Sequence, residues 1–327
     1  MENTHVLGLD GGGSGTRCVI ASASGNILAN GTGGPSNPLT AGLNEAAEAI
    51  ETAVKEASSR SGIKKFATTV MGVAGTERKS IVGALEEKLR KRGFDGFRIV
   101  SDAEVALAGV SGGMSGVVVI SGTGSIAYGM NMEGKTARAG GWGWRLGDEG
   151  SGYEIGHSAL IAALRDYDGR GPQTLLRRMV EEKLGLKNPS ELVDRIYTKG
   201  MGSEEVAALA SLVGSAAEEG DKTAIKILRK AGSELGLAAS SVIARLGLRG
   251  GFTVGLVGGV FSLGPVIEES LLEVVRNVAP ECMIAPPRFP PEVGAALLAL
   301  REIGVKLDEA LLENVETFQK AMTRRLF

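Results

Sequence analysis

Apolar positions in the first hundred residues follow two alternating rhythms. His5–Asp10, Thr16–Ala23 and Asn26–Gly31 are short runs rich in Val, Ile and Leu, bounded by glycine. They predict three strands, with a Gly25-Asn26 turn before the third. Leu43, Ala47, Ile50, Val54 and Ala57 then recur every three to four residues, which predicts a helix that stops at Gly62. Thr68–Val73 predicts a strand and Lys79–Arg92 a helix. Arg98–Ser101 predicts a strand whose end delivers Asp102, and a further helix follows over Glu104–Gly109.

The same order begins again at Gly116. Gly116–Ser121, Ser125–Met130 and Lys135–Ala139 predict three strands, and a glycine-rich loop spans Gly140 to Gly152. Helical periodicity dominates from Tyr153 to about Arg245. Phe252–Val257 predicts a strand, Pro265–Val278 a helix, Met283–Ala285 a short strand, and Pro291–Ile303 and Leu307–Phe327 two helices. A β–β–β–α–β–α–β unit used twice predicts an α/β protein of two lobes facing a cleft. The expected division is residues 1–114 and residues 115–304, joined near the Ser/Gly-rich stretch Ser111–Gly116. The last helix, about 305–327, is expected to fold back on the first lobe.

Bulk composition narrows the function classes. The chain has 327 residues, long for one core, with 43% hydrophobic and 23% charged residues, as in a soluble globular protein. A net charge of −2 gives no electrostatic basis for binding nucleic acid or an anionic membrane. No run of apolar residues is long enough to span a bilayer, and Met1–Asp10 does not read as a signal peptide. Cys18 and Cys282 are the only cysteines, which fits a reducing cytoplasm. Cys18, in a strand, reads as a small core residue.

Three glycine-rich segments stand where apolar runs meet turns: Asp10-Gly11-Gly12-Gly13-Ser14-Gly15-Thr16, Ser121-Gly122-Thr123-Gly124-Ser125 and Val257-Gly258-Gly259-Val260-Phe261. Consecutive backbone N–H groups in such turns form nests for anionic oxygens. The first reads as a phosphate cradle, with Ser14 and Thr16 hydroxyls beside it and Asp10 placed to hold hydrated Mg²⁺; a plain hairpin turn is the simpler alternative. It is not a P-loop, since no Gly-Lys-Ser/Thr follows, and not a dinucleotide fingerprint, since strands follow rather than a helix. The second repeats the design, and the third could let adenine or ribose lie against backbone.

Asp102 at a strand's C-terminal end suits a general base that takes the proton of an attacking hydroxyl; it equally suits a helix N-cap. Glu104 is the second candidate base. In Gly140–Ser151, two tryptophans stand among five glycines. Their faces could stack on sugar C–H surfaces while Asp148 or Glu149 takes hydroxyls, or they could plug the core with Asp148 or Ser151 capping a helix. Asn37, in Pro35-Ser36-Asn37-Pro38, could bind a polar ligand or simply form a turn. Glu154 and His157 lie one helical turn apart, but no second histidine or cysteine accompanies them, so a structural role is favoured over a metal.

These segments, with Ser101-Asp102-Ala103 and the late stretch Pro286–Ala296, resemble the BadF/BadG/BcrA/BcrD ATPase family, and within it the N-acetylglucosamine kinase branch of the sugar kinase, actin and heat-shock chaperone superfamily. The resemblance implies two ribonuclease H-like (actin-like ATPase) lobes with ATP and sugar in the interlobe cleft. It implies ATP and Mg²⁺ as cofactors, a sugar substrate phosphorylated at its 6-hydroxyl, and a homodimer. It matches Asp102 to the base and Asn37, Gly141, Trp142 and Asp148 to sugar contacts. Ser14, Thr16, Gly122 and Thr123 match phosphate contacts, and Gly258 and Gly259 the adenosine side. Trp144-Arg145 and Phe261 map to no fixed role, so the choice among N-acetylglucosamine, glucosamine and glucose stays open. Two other readings remain: an iron–sulfur ATPase that activates a dehydratase, weakened by the two distant cysteines, and an actin-like or regulatory nucleotide-binding protein, disfavoured by the tryptophan loop.

Overall fold

The computed structural model of the chain describes residues 4–76 and 78–324. It divides into two units, one formed by the first 115 residues together with Ala285 onward, the other by Gly116–Ile284.

The first unit begins with β1 (His5–Gly11), β2 (Thr16–Ser22) and β3 (Ile27–Gly33), an antiparallel meander. Next come α1 (Leu43–Ser61), β4 (Thr69–Val73), α2 (Lys79–Lys91), β5 (Phe97–Val100) and α3 (Asp102–Ser111). The sheet order is β3-β2-β1-β4-β5, with β4 parallel to both β1 and β5. β1 is central and covered on both faces, which is why its sequence reads as an apolar run rather than a strict alternation. Val6 enters one core, while Leu7 and Leu9 enter the other beneath α1.

The second unit repeats that plan. β6 (Gly116–Ser121), β7 (Ser125–Met130) and β8 (Thr136–Gly140) form the meander. The helices α4 (Gly152–Tyr167), α5 (Leu175–Leu184), α6 (Ser203–Ala208), α7 (Ala210–Glu218) and α8 (Lys222–Leu246) follow. Then come β9 (Thr253–Val257), α9 (Pro265–Arg276) and β10 (Met283–Ala285). Read from β8, the sheet order is β8-β7-β6-β9-β10, the order of the first sheet, again with β6 parallel to its non-meander neighbour β9. Both sheets are therefore ribonuclease H-like, as expected. Leu228, Leu235 and Val242 of α8 join Leu271 and Val275 of α9 in one core over this sheet.

The chain then returns to the first unit through α10 (Pro291–Glu302) and α11 (Glu309–Arg324). The second lobe, expected to run to residue 304, thus ends at Ile284, and α10 belongs to the first unit. The reason is steric and hydrophobic. Val293–Leu300 are all buried, so this helix needs cover on every side. Two glycines let it approach backbone: a Cβ on Gly8 of β1 would overlap the Ala296 N–H, and one on Gly294 would overlap the Val105 carbonyl of α3. α11 packs Leu312 and Val315 into the same core, and Asn314 Nδ2 donates to the Ser24 carbonyl at 3.0 Å. The expected extension of this helix over residues 325–327 lies outside the described residues.

Candidate active site

In the first unit, the C-terminal ends of β1 and β5 bring two acids into electrostatic contact. Asp10 is the next-to-last residue of β1, paired in register with Arg17 of β2 and Gly72 of β4. Its carboxyl is pushed up to about 7, first by burial, then by the charges of Glu292 and Asp102, against a smaller opposing pull from Arg17. Glu292, at the start of α10, is itself raised by burial, and its Oε2 is buried without a hydrogen-bond partner among the described residues. Sequence reasoning assigned Glu292 no role. Its one signal was an acid in the first turn of an otherwise apolar helix.

Asp102 was weighed as an N-cap, and the structure gives that work to another residue. Ser101 caps α3, its Oγ accepting the Glu104 N–H at 3.2 Å. Asp102 is the first residue of the helix proper, half-buried, with its Oδ1 accepting the Ala103 N–H at 2.9 Å. Glu104 pairs with Arg98 at 3.1 Å.

The β1–β2 turn runs from Gly12 to Gly15, closed by the Gly12 N–H donating to the Gly15 carbonyl at 3.0 Å. Gly13 and Ser14 are exposed at its tip, and a Cβ on Gly12 or Gly13 would meet nothing within 4 Å, so backbone there is open to a ligand. Thr16 departs from expectation. It is buried, and its hydroxyl is hydrogen-bonded to the Gly34 carbonyl at 2.7 Å and to Ser36 Oγ at 2.8 Å. It fastens the turn to the following loop rather than presenting its oxygen to a phosphate, and Gly11 packs against Ser36 in the same joint. Asn37 forms the turn considered for it, Oδ1 accepting the Leu39 N–H at 2.9 Å. Its Nδ2 makes no hydrogen bond among the described residues.

In the second unit, two glycine segments more than a hundred residues apart meet in one cavity of about 400 Å³, lined by Gly122, Thr123 and Gly259. Glu204, Ala207 and Ser211 of α6 and α7 complete its wall. These last residues carry no motif and were not foreseen. Gly124 and Gly258 are packing positions instead. A Cβ on Gly258, at φ +113°, would overlap the Ser121 carbonyl, and one on Gly124 would lie 2.8 Å from Asp148 Oδ2.

The Gly140–Ser151 loop is held from within. Asp148 is the described residue other than glycine with positive φ, +62°, and is only 7% exposed. Burial raises its carboxyl, while the N–H groups of Ser125 and Gly143, donating to it, pull it back. Asp148 thus pins the loop to the β6–β7 turn. Ser121 Oγ and Ser125 Oγ add bonds to the carbonyls of Gly150 and Glu149 at 2.9 and 2.8 Å. Ser151 caps α4. Gly141, at φ +70°, donates its N–H to the Ser125 carbonyl at 2.9 Å. The tryptophans do not plug the core: Trp142 is 62% and Trp144 43% exposed. The Arg138 guanidinium lies 4.5 Å from the Trp142 ring centre, and Trp144 contacts Tyr153, which stacks on His157. Glu154 accepts the Gly150 N–H at 2.6 Å and pairs with Lys230 at 2.7 Å, consistent with a structural role.

A model of the BadF/BadG/BcrA/BcrD ATPase family matches residues 7–299. The chain belongs to this family. It is 38% identical over 248 residues to an N-acetylmuramic acid/N-acetylglucosamine kinase of Clostridium acetobutylicum, covering 75% of this chain and 81% of that one. It is 34% identical over 316 residues to an N-acetyl-D-glucosamine kinase of Dictyostelium discoideum, covering 92% and 99%. A crystal structure of a candidate N-acetylglucosamine kinase from Chromobacterium violaceum superposes with a TM-score of 0.72 at 28% identity, covering 92% of this chain and all of that one. Among the described residues no helix is long and apolar enough to cross a membrane.

Proposed function

We propose that this protein is an ATP-dependent sugar kinase that transfers the γ-phosphoryl group of ATP to the 6-hydroxyl of N-acetylglucosamine or a close amino sugar. The observation that carries the mechanism is the pairing of Asp10 and Asp102 at the C-terminal ends of β1 and β5, close enough for each charge to act on the other. Asp102 serves as the general base: at the first position of α3, its carboxylate takes the proton of the attacking hydroxyl. Asp10 holds Mg²⁺ through water. Burial beside two other acids makes its lone charge unfavourable, and a divalent cation relieves exactly that kind of field.

The donor set fits the ion. Among the described residues there is no group of three or more His, Cys, Asp or Glu side chains suited to a metal, and Mg²⁺ is characteristically held by one or two carboxylates, water and substrate phosphates. When bound, the ion neutralises charge on the phosphates. The open backbone at Gly12 and Gly13 and the cavity lined by Gly122, Thr123 and Gly259 are assigned to the nucleotide. The Asn37 amide and the exposed face of Trp142 are assigned to the sugar, with Asp148 holding the Trp142 loop in shape. The relatives' activities support this substrate class, and the reading extends to a homodimer in the cytoplasm.

A dehydratase-activating ATPase fits less well. Cys18 is buried, its thiol pushed up to about 12 by desolvation, and it donates to the Ala53 carbonyl at 3.3 Å. Cluster ligation needs accessible thiolates at matched spacing. The test is ADP release with Mg²⁺ across a panel of sugars, with a no-sugar control. Strong stimulation by one amino sugar, abolished in Asp102→Asn, is expected. ATP hydrolysis indifferent to every sugar would overturn the assignment.

A further inference from the structure

A further cavity lies away from all the segments above. It is an open groove of about 780 Å³ in the first unit, bounded by α1, the connection into β4 and the turn after α2. Leu7 and Thr69, which face one another at the start of β1 and β4, lie at its floor. Asp10 stands three residues further along β1, about 10 Å at 3.3 Å per residue. The groove is thus separate from the carboxylates, although one strand runs from it to them.

Its lining joins excess positive charge to ring surface. Four cations, Lys55, Lys64, Lys65 and Arg92, face two carboxylates, Glu51 and Asp95, so two positive charges are in excess. Glu51 is shared between Lys55 at 2.6 Å and Arg92 at 3.5 Å. Lys64 and Lys65 make no ion pair among the described residues. Arg92 is held loosely: its Nε faces Glu51 Oε2 at 3.5 Å without a formed hydrogen bond, and Nη2 reaches the Asn44 carbonyl only at 3.5 Å. A guanidinium presents five N–H donors, and among the described residues Arg92 makes only this long ion pair and one long bond, so donors remain for a further anion oxygen. Phe66 and Phe94, each packed on the core by part of its surface, leave the rest facing the groove.

We propose that this groove binds a small phosphate monoester: the dianion matches the two surplus charges, and the body of the molecule lies against Phe66 and Phe94. The proposal does not depend on the kinase reading. It is tested by calorimetric titration of the full-length protein with phenyl phosphate and with inorganic phosphate at low salt. Binding of phenyl phosphate is expected in the wild type. It should weaken by about tenfold or more in the double variant Lys64→Glu/Lys65→Glu and persist in Lys64→Arg/Lys65→Arg. Both pairs are exposed side chains, and unchanged melting of each variant confirms an intact fold. Equal affinity in the wild type and the charge-reversed variant overturns the site. Inorganic phosphate bound as tightly as phenyl phosphate overturns the monoester and leaves free phosphate as the ligand.

Discussion

Replacing Asp10 by Asn should stabilise the ligand-free protein above neutral pH and change nothing in acid. In the folded protein this carboxyl protonates at about 7, against an ordinary 3.8. At 1.36 kcal/mol per pKa unit that difference is worth about 4 kcal/mol at most, and relaxation around the charge brings the expected effect to about 2–4 kcal/mol. The sign follows from proton affinity, because the folded state holds this proton more tightly than the unfolded chain. Below the ordinary value both states are protonated and the group contributes nothing. As pH rises toward 7 the unfolded chain ionises first and stability is lost, and above 7 the loss is complete. Asn has no proton to release, so the gap between variant and wild type should open over that window and then level off. The assay is urea unfolding of both proteins from about pH 4 to pH 9 with Mg²⁺ chelated. Glu292→Gln removes the larger of the two acidic charges acting on Asp10, so in that background the gap should open at the same pH but level off at lower pH and at a smaller size. A gap of constant size at every pH would mean that Asp10 is ionised throughout, and the reasoning would fail.

Asp102→Asn should lower kcat by about 10²–10⁴ while leaving the unfolding midpoint in place, since Ser101 and not Asp102 caps α3; steady-state kinetics that retain most of the activity would refute its role as base. Gly294→Ala puts a methyl into the Val105 carbonyl across the α3–α10 contact and should cost about 1–3 kcal/mol by urea unfolding. Asp148→Ala should cost about 2–3 kcal/mol, because the Ser125 and Gly143 N–H groups lose their acceptor and alanine tolerates φ +62° poorly; Asp148→Asn, which keeps an acceptor oxygen and a residue at home in that conformation, should cost under about 1 kcal/mol. A Cβ on Gly259 meets nothing within 4 Å, so Gly259→Ala should leave melting unchanged; Gly259→Leu, which extends into the cavity at Gly122 and Thr123, should raise the KM for ATP by about tenfold if that cavity takes the nucleotide.

The duplicated plan was legible because each strand of the two meanders is short, apolar and closed by a turn residue, so periodicity alone separated strand from helix. Asp102 was legible for the same reason: it follows an apolar run directly. What stayed hidden depends on contacts between residues distant in the chain. α10 follows β10 closely in sequence, yet Gly8 and Gly294 give it a seat on β1 and α3, and a pair of glycines 286 positions apart leaves no periodic trace. Glu292 matters only because that seat brings it to Asp10. The wall formed by Glu204, Ala207 and Ser211 escaped notice because its small residues act by allowing close approach, which no spacing advertises. The structural part of Asp148 was equally hidden, because its left-handed backbone and the N–H bonds it accepts from Ser125 and Gly143 depend on the folded loop.

The hydroxyl groups of the two meander turns sharpen the account of phosphate recognition. In each sheet the pair of residues closing the first hairpin contains hydroxyls: Gly11 opposite Thr16 in one, Ser121 opposite Ser125 in the other. In sequence Thr16 looks like a phosphate ligand. In the fold each hydroxyl is committed to a carbonyl of a later loop: Thr16 to Gly34, Ser121 to Gly150 and Ser125 to Glu149. A hydroxyl so committed has lost its one donor to the protein, and its lone pairs would repel a phosphate oxygen. What remains at each tip is backbone N–H and the exposed Ser14 and Thr123. On the proposed reading the glycine N–H groups do the recognising, while the hydroxyls keep the turns still. Phosphate recognition, on that reading, rests on fixed backbone dipoles, which need little reorganisation as negative charge builds on the β–γ bridging oxygen that leaves with ADP. The same turn geometry recurs in both units although their sequences share no residue-level repeat, so the duplication lies in backbone conformation rather than in side-chain identity.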